Sequence, residues 1–145
     1  MSVESLQFVD TNILIYAHDT QAGIKYEKAK ALLQKLWDSQ RGCLSIQVLQ
    51  EFYINITRHV AKPLNSDQAT EIISSLSVWK VHSPTTVDVQ TAIKCHQKYK
   101  ISFWDAMIIQ SASQLRCDQI WSEDLNHDQT YDGVKVVNPF IAQIA

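Results

Sequence analysis

The chain has 145 residues, a length that points to one domain, spanning residues 1–145, around a single core. Hydrophobic residues make up 46% and charged ones 19%, with three Gly and three Pro, which leaves little room for linkers or disordered tails. The formal net charge of −2 excludes a generally basic, histone-like binder, but an acidic metal site beside a local basic patch is still compatible with nucleic acid.

Three Cys residues, Cys43, Cys95 and Cys117, form no CxxC pair and no disulfide framework, so a reducing cytoplasm is the expected compartment. Met1 to Glu4 lack the basic and apolar pattern of a leader. No apolar run approaches the ~20 residues of a membrane span, so no membrane is expected among the partners. The five His residues show no ligand-like spacing, and His96 beside Cys95 reads as a helix neighbour.

In chain order, Leu6 to Val9 is short, apolar and aromatic, and reads as a buried strand. It stops at Asp10, and Ile13 to Ala17 then fits a short helix. Ile24 to Ser39 is amphipathic, with Ala29, Leu32, Leu33 and Leu36 at helical spacing. Gly42 to Ser45 predicts a second strand. Ser45 can cap a helix from Ile46 to Val60, with Leu49, Phe52, Tyr53 and Ile56 inward and Pro63 as its stop. Asn65 and Gln68 stand at capping-box spacing before Ile72, Ile73, Leu76 and Trp79.

Val81 and its neighbours suggest a third strand, closed by Pro84. Thr85 with Asp88 predicts another capped start, and Val89, Ala92, Ile93 and His96 mark one face of that helix. Asp105 is expected to open a helix through Leu115. Gln119 to Ser122 and Val134 to Val137 predict the last two strands, and Pro139 a terminal helix. Strands alternating with helices argue for an α/β fold with a mainly parallel sheet covered on both faces.

Four acids occupy similar local settings. Asp10 and Asp124 follow strands, Glu51 lies on the helix after the second strand, and Asp105 lies near a helix start. Right-handed crossovers carry the carboxyl ends of parallel strands to one edge, where such acids can converge. Converging carboxylates repel and raise one another's pKa, a cost that a hard cation such as Mg²⁺ or Mn²⁺ offsets. Fifteen acids in an α/β domain are mostly solvated, and Asp10 also fits a simple helix cap. Glu51 is the more telling acid, because it sits beside Phe52 near the apolar face, but the residues alone leave both readings open.

Four blocks then carry a resemblance: Val9-Asp10-Thr11-Asn12-Ile13-Leu14, Val48-Leu49-Gln50-Glu51-Phe52-Tyr53, Phe103-Trp104-Asp105-Ala106-Met107-Ile108 and Trp121-Ser122-Glu123-Asp124-Leu125-Asn126. In this order they resemble the PIN domain family, the fold of the VapC-like toxin ribonucleases of type II toxin–antitoxin pairs. The resemblance implies a three-layer α/β/α sandwich with a mainly parallel central sheet. It implies a metal-dependent ribonuclease, with Mg²⁺ or Mn²⁺ held by Asp10, Glu51, Asp105 and Asp124 and an RNA phosphodiester hydrolysed by activated water. Thr11, Asn12 and Ser122 would then support the acids. It further implies a homodimer and a small antitoxin protein.

Glu123 and Asp128 are further acids near the fourth block, either solvated or ligating. Many relatives place Gly between the positions of Asn126 and Gln129, where this chain reads His127-Asp128. Glu51, Asn55, Arg58 and Lys62 fall at helical spacing, so Arg58 and Lys62 are candidate RNA contacts, though a solvated stripe has the same pattern. Trp37 and Trp79 read as core cover. Trp104 and Trp121 read first as packing and second as surfaces on which a base could stack.

Two other classes fit less well. A phosphotransfer receiver wants paired acids after its first strand, and an aspartyl phosphatase wants an acid two residues after its nucleophile. Thr11 and Asn12 stand in those places. A PIN-like module that binds without turnover is the third class, and the complete set of four acids argues against it.

Overall fold

The structure, a computed structural model, describes residues 5–141. The leader reading of residues 1–4 and the end of the expected terminal helix lie outside the described residues. Within them, Pro139 to Ile141 form a turn.

The elements run β1 (Gln7–Val9), α1 (Thr11–Tyr16), α2 (Ile24–Ser39), β2 (Gly42–Ser45), α3 (Ile46–Arg58), α4 (Ser66–Leu76), β3 (Lys80–His82), α5 (Thr86–Tyr99), α6 (Phe103–Gln114), β4 (Gln119–Trp121), β5 (Thr130–Tyr131) and β6 (Val134–Val137). The sheet order is β3-β2-β1-β4-β6-β5, parallel throughout except for the β5–β6 hairpin.

The order of the strands explains the layers. From β1 to β2 to β3 the chain steps one way across the sheet, and α1 to α4 pack together along that path. From β3 it returns past β1 to β4, and α5 and α6 pair with each other while α6 lies against β2, β4 and β6. Right-handed crossovers in opposite directions place the two helical groups on opposite faces, which gives the α/β/α sandwich. Phe8, Leu44, Ile120 and Val136 fill the sheet, and Phe52, Ile56, Ile108 and Ile109 cover it.

Local chemistry starts the helices where the sequence places them. Ser45 Oγ accepts the Val48 N–H at 3.3 Å, and Asn65–Gln68 and Thr85–Asp88 form complete capping boxes. Each such cap contributes about 1 kcal/mol. Gly42 is required by packing, because a Cβ there would fall 2.4 Å from a Trp79 ring carbon.

Several expectations are corrected. The expected Ile13–Ala17 helix runs Thr11–Tyr16, because Asp10 caps it. α3 ends at Arg58, so Lys62 lies beyond the helix and off the proposed stripe. α6 opens at Phe103, two residues before Asp105, because Ser102 Oγ accepts the Asp105 N–H at 3.0 Å. The buried face of α5 is Asp88, Ala92 and Cys95, leaving Val89 and Ile93 exposed. β5 has two residues, too short to show alternation. Trp79 packs on the core, while Trp37 is only half covered and leans on it, the ring centroids 6.1 Å apart.

Candidate active site

β1 and β4 are neighbours at the point where strand order reverses, the position at which open α/β sheets bind ligands. Asp10 leaves β1 there and Asp124 follows β4. Glu51 reaches the same place from the middle of α3, and Asp105 from the first turn of α6. All four line one cavity of about 240 Å³, together with Thr11, Asn12, Ile15, Gln47, Asn55, Trp104 and Ile108. Acids from four separate elements therefore meet.

Asp10 is the buried anchor, 4% exposed. Its Oδ1 accepts the Thr11 N–H at 2.7 Å, and its Oδ2 accepts from Ser122 Oγ at 2.7 Å and Asn12 Nδ2 at 3.3 Å. Burial pushes its pKa from 3.8 up to about 7; the bonds from Ser122 and Thr11 oppose the shift, and the charges of Asp124 and Asp105 add to it. Burial also raises Asp105, opposed by the Ser102 bond and reinforced by Asp124. Three of the acids thus feel one another's charge. Glu51 joins through a neighbour, its Oε1 accepting from Thr11 Oγ1 at 2.7 Å.

The polar residues around the acids act as expected from their types. Asn12 Nδ2 also donates to Asp124 Oδ2 at 3.0 Å, and Asn12 Oδ1 accepts the Glu123 N–H at 3.1 Å, so one amide ties the start of α1 to the loop after β4. Ser122 Oγ also accepts the Asp124 N–H at 3.2 Å.

Glu123 points elsewhere. It accepts from Lys25 Nζ at 2.5 Å and Tyr16 OH at 2.7 Å, so it is neither a solvated loop acid nor free to join the cavity. Lys25 lies 5.0 Å from the Tyr16 ring centre and 5.4 Å from that of Phe140. Nothing in the spacing of Lys25 and Tyr16 signalled this bracing, because the partner lies about a hundred residues away.

Asp128 is exposed, 3.3 Å from His127 and 3.5 Å from Lys135, and outside the cavity. Its φ of +67° places it in a left-handed turn that is open to Gly and tolerated by Asp. Arg58 and Lys62 are exposed and do not line the cavity, although Asn55, one turn before Arg58, does.

Trp121 is packed, its N–H donating to Gln7 Oε1 at 2.6 Å. Trp104 reverses the packing expectation: it is 62% exposed at the cavity.

The cavity suits a hard divalent cation in the chemistry of its donors, which are carboxylate oxygens without thiol or imidazole. Among the described residues, no three His, Cys, Asp or Glu side chains already stand as a closed metal-holding cluster. The mutual repulsion recorded at Asp10 and Asp105 is the charge that a cation would offset.

A doubly covered, mainly parallel sheet with carboxylates gathered at its reversal point defines an α/β domain built around an acidic pocket. The chain belongs to the PIN domain family, whose pattern it matches over residues 8–133. Its fold is similar to a chain of a toxin–antitoxin complex from Klebsiella pneumoniae, with a TM-score of 0.68 and 22% identity over 93% of this chain and 98% of that one. It is also similar to VapC20 of Mycobacterium tuberculosis, a sarcin–ricin loop cleaving toxin, with a TM-score of 0.62 and 20% identity over 81% and 89% of the two chains. FitAcB from Neisseria gonorrhoeae gives 0.59 and 17% over 94% and 100%. At these identities the likeness is one of fold. A search of curated protein sequences finds no match.

Proposed function

We propose that this PIN domain is a metal-dependent endoribonuclease, the toxin of a toxin–antitoxin pair. The observation that carries the reading is the convergence of Asp10, Glu51, Asp105 and Asp124 on one cavity, with Asp10 held near pKa 7 by burial and by its acidic neighbours. So much uncompensated negative charge is costly in a site without a cationic ligand. The toxin neighbours in fold, one of them from a toxin–antitoxin complex, support the same reading.

In this reading Asp10 and Asp105 would hold Mg²⁺ or Mn²⁺ most directly, with Glu51 and Asp124 completing the set. When bound, such an ion would supply water activation and charge neutralisation at a phosphoryl group. The chain's own residues prepare that site. Ser122 and Thr11 fix the two oxygens of Asp10. Asn12 holds Asp10 and Asp124 at a set separation. The Thr11 hydroxyl orients Glu51. Such outer partners commonly alter metal affinity or activity by about 10–100-fold. Among the described residues that line the cavity there is no His, so imidazole acid–base cleavage is not built in. A homodimer, a small antitoxin that blocks the site and a cytoplasmic location belong to the same proposal.

The test is incubation of total cellular RNA with the protein in Mg²⁺ or Mn²⁺, with and without chelator. Asp10→Asn and Asp105→Asn are the controls. Cleavage that needs metal and both acids supports the reading. RNA left intact, with Mn²⁺ binding unchanged in both variants, identifies a PIN-like binding module instead.

A further inference from the structure

Trp104 stands out among the residues of the acidic cavity. It is the residue before Asp105, in the first turn of α6, and 62% of it is exposed. Its ring is braced edge-on by Phe103, with centroids 5.1 Å apart and planes at 73°. Its backbone carbonyl accepts from Gln47 Nε2 at 3.2 Å, which ties the start of α6 to α3. The ring is therefore held by its neighbours while still meeting solvent. The contrast with Trp121 is informative: that ring is 8% exposed, with its N–H satisfied inside the fold. Single exposed apolar side chains are common on protein surfaces, but this one lines the acidic cavity and offers its ring there to a planar ligand.

The cavity itself says what kind of group that is. Among the described residues that line it, four are acids and none is Lys, Arg or His. Arg58 and Lys62, the cations expected to steer a phosphate chain, lie outside it. A nucleic acid entering here meets no protein cation at the walls. A bound metal can offset charge at one phosphate, but the flanking nucleotides need a contact that does not depend on positive charge. A fixed, exposed indole provides one, because every nucleobase has a π-face and stacking tolerates any sequence.

We propose that Trp104 is a nucleobase platform: it stacks an unpaired base flanking the phosphodiester that the acidic cavity receives. This rests on the nuclease reading and adds the class of substrate, a single-stranded or looped RNA segment whose base is free to leave its own stack. Stacking by a neutral ring also contributes affinity without releasing counterions, so its share of binding is insensitive to salt.

The test compares wild type, Trp104→Phe and Trp104→Ala on a short unstructured RNA in Mn²⁺. A matched RNA carries one abasic nucleotide beside the cleaved bond. Mn²⁺ binding is followed by electron paramagnetic resonance and molecular mass by light scattering. Trp104→Ala is expected to lower kcat/KM about tenfold, mainly through KM, with Trp104→Phe recovering most of the loss. The loss should persist at raised salt. On the abasic RNA the wild type should fall to the level of Trp104→Ala, while Mn²⁺ binding and mass are unchanged.

Equal kcat/KM for wild type and Trp104→Ala overturns the platform while leaving metal-dependent cleavage in place. So does an equal loss on the abasic RNA. A mass that drops from two copies to one in Trp104→Ala shows that a second chain covers the ring, and overturns it as well. Failure of the nuclease reading looks different: wild type and Asp105→Asn leave the RNA equally intact, and the platform falls with it.

Discussion

Asp10 and Asp88 are both aspartates with 4% of their surface exposed, and they titrate in opposite directions. Burial pulls each carboxyl upward. At Asp10 the bonds from Ser122 and Thr11 fail to offset it, and Asp124 and Asp105 add repulsion, so the group rises to about 7. At Asp88 the pull of burial is outweighed by the Thr85 N–H and hydroxyl, the Gln110 amide and His82, and the group falls below its usual value. Thr85 N donates to Asp88 Oδ2 at 2.8 Å, Gln110 Nε2 to Oδ1 at 3.1 Å, and His82 Nε2 stands 3.3 Å away. His82 Nδ1 in turn meets Ser111 Oγ at 2.8 Å. The difference lies in depth as well as company: both show little surface, but Asp10 is enclosed more deeply in the fold than Asp88. Asp88 is a satisfied structural acid that joins β3, α5 and α6, whereas Asp10 is left with surplus charge. A surplus of this kind marks a group kept for a ligand.

The comparison breaks most decisively through activity. Asp10→Asn and Asp105→Asn should each lower RNA cleavage by more than about 100-fold, beyond the effect of losing an outer partner. Asp105→Asn should not lower the melting temperature of the metal-free protein at pH 8, because it removes a repelled charge, whereas in Asp10→Asn that relief is set against a donor left unpaired at one of the two former carboxylate oxygens. Full cleavage by either variant would show that the metal-holding roles assigned to these acids are wrong.

A pH series sharpens it next. The folded-state pKa of Asp10 is raised, so between 3.8 and about 7 the folded chain binds more protons than the unfolded one. Its contribution to metal-free stability is therefore full at low pH and falls as pH rises through about 7, by on the order of a few kcal/mol. Chemical denaturation across that range should show a component that disappears in Asp10→Asn. Asp88 runs the other way: its depressed pKa stabilises the fold above pH 3.8, and that contribution is lost as pH falls further.

Asp88→Asn should behave as the mirror of the cavity variants. It leaves one of the donors now served by two carboxylate oxygens unpaired, at about 1–3 kcal/mol, measured by urea unfolding. Cleavage per folded molecule should not change. Glu123→Gln should give the smallest effect. The ion pair with Lys25 is partly exposed, and such pairs contribute at most about 1 kcal/mol. A large loss of cleavage in Glu123→Gln without a loss of stability would instead make Glu123 part of the cavity's chemistry.

The same contrast explains what could be read in the sequence. Helices with regular apolar spacing were legible, as α2 shows, and more so where a capping residue starts them, as at α3 and α4, because these signals are local. The approach of Asp10 to Asp124 was legible too, since it follows from crossover handedness and strand ends. The buried face of α5 was not. Val89 and Ile93 look like core by hydropathy, yet the helix turns Asp88 inward, because His82 and Gln110 from other elements satisfy it. Likewise Glu123 and Trp104 cannot be oriented from their own neighbours: one is fixed by Lys25 across the fold, and the other is exposed because no element is laid over it.

The hydrogen bond from Ser122 to Asp10 has a temporal consequence. It joins residues 112 positions apart, on strands that pair only once the rest of the sheet has been strung between them. A nascent chain still lacking β4 carries Asp10, Glu51 and Asp105 but neither the hydroxyl that steadies the first nor the fourth acid. The pocket is therefore assembled only once β4 and the loop after it have been added to the sheet.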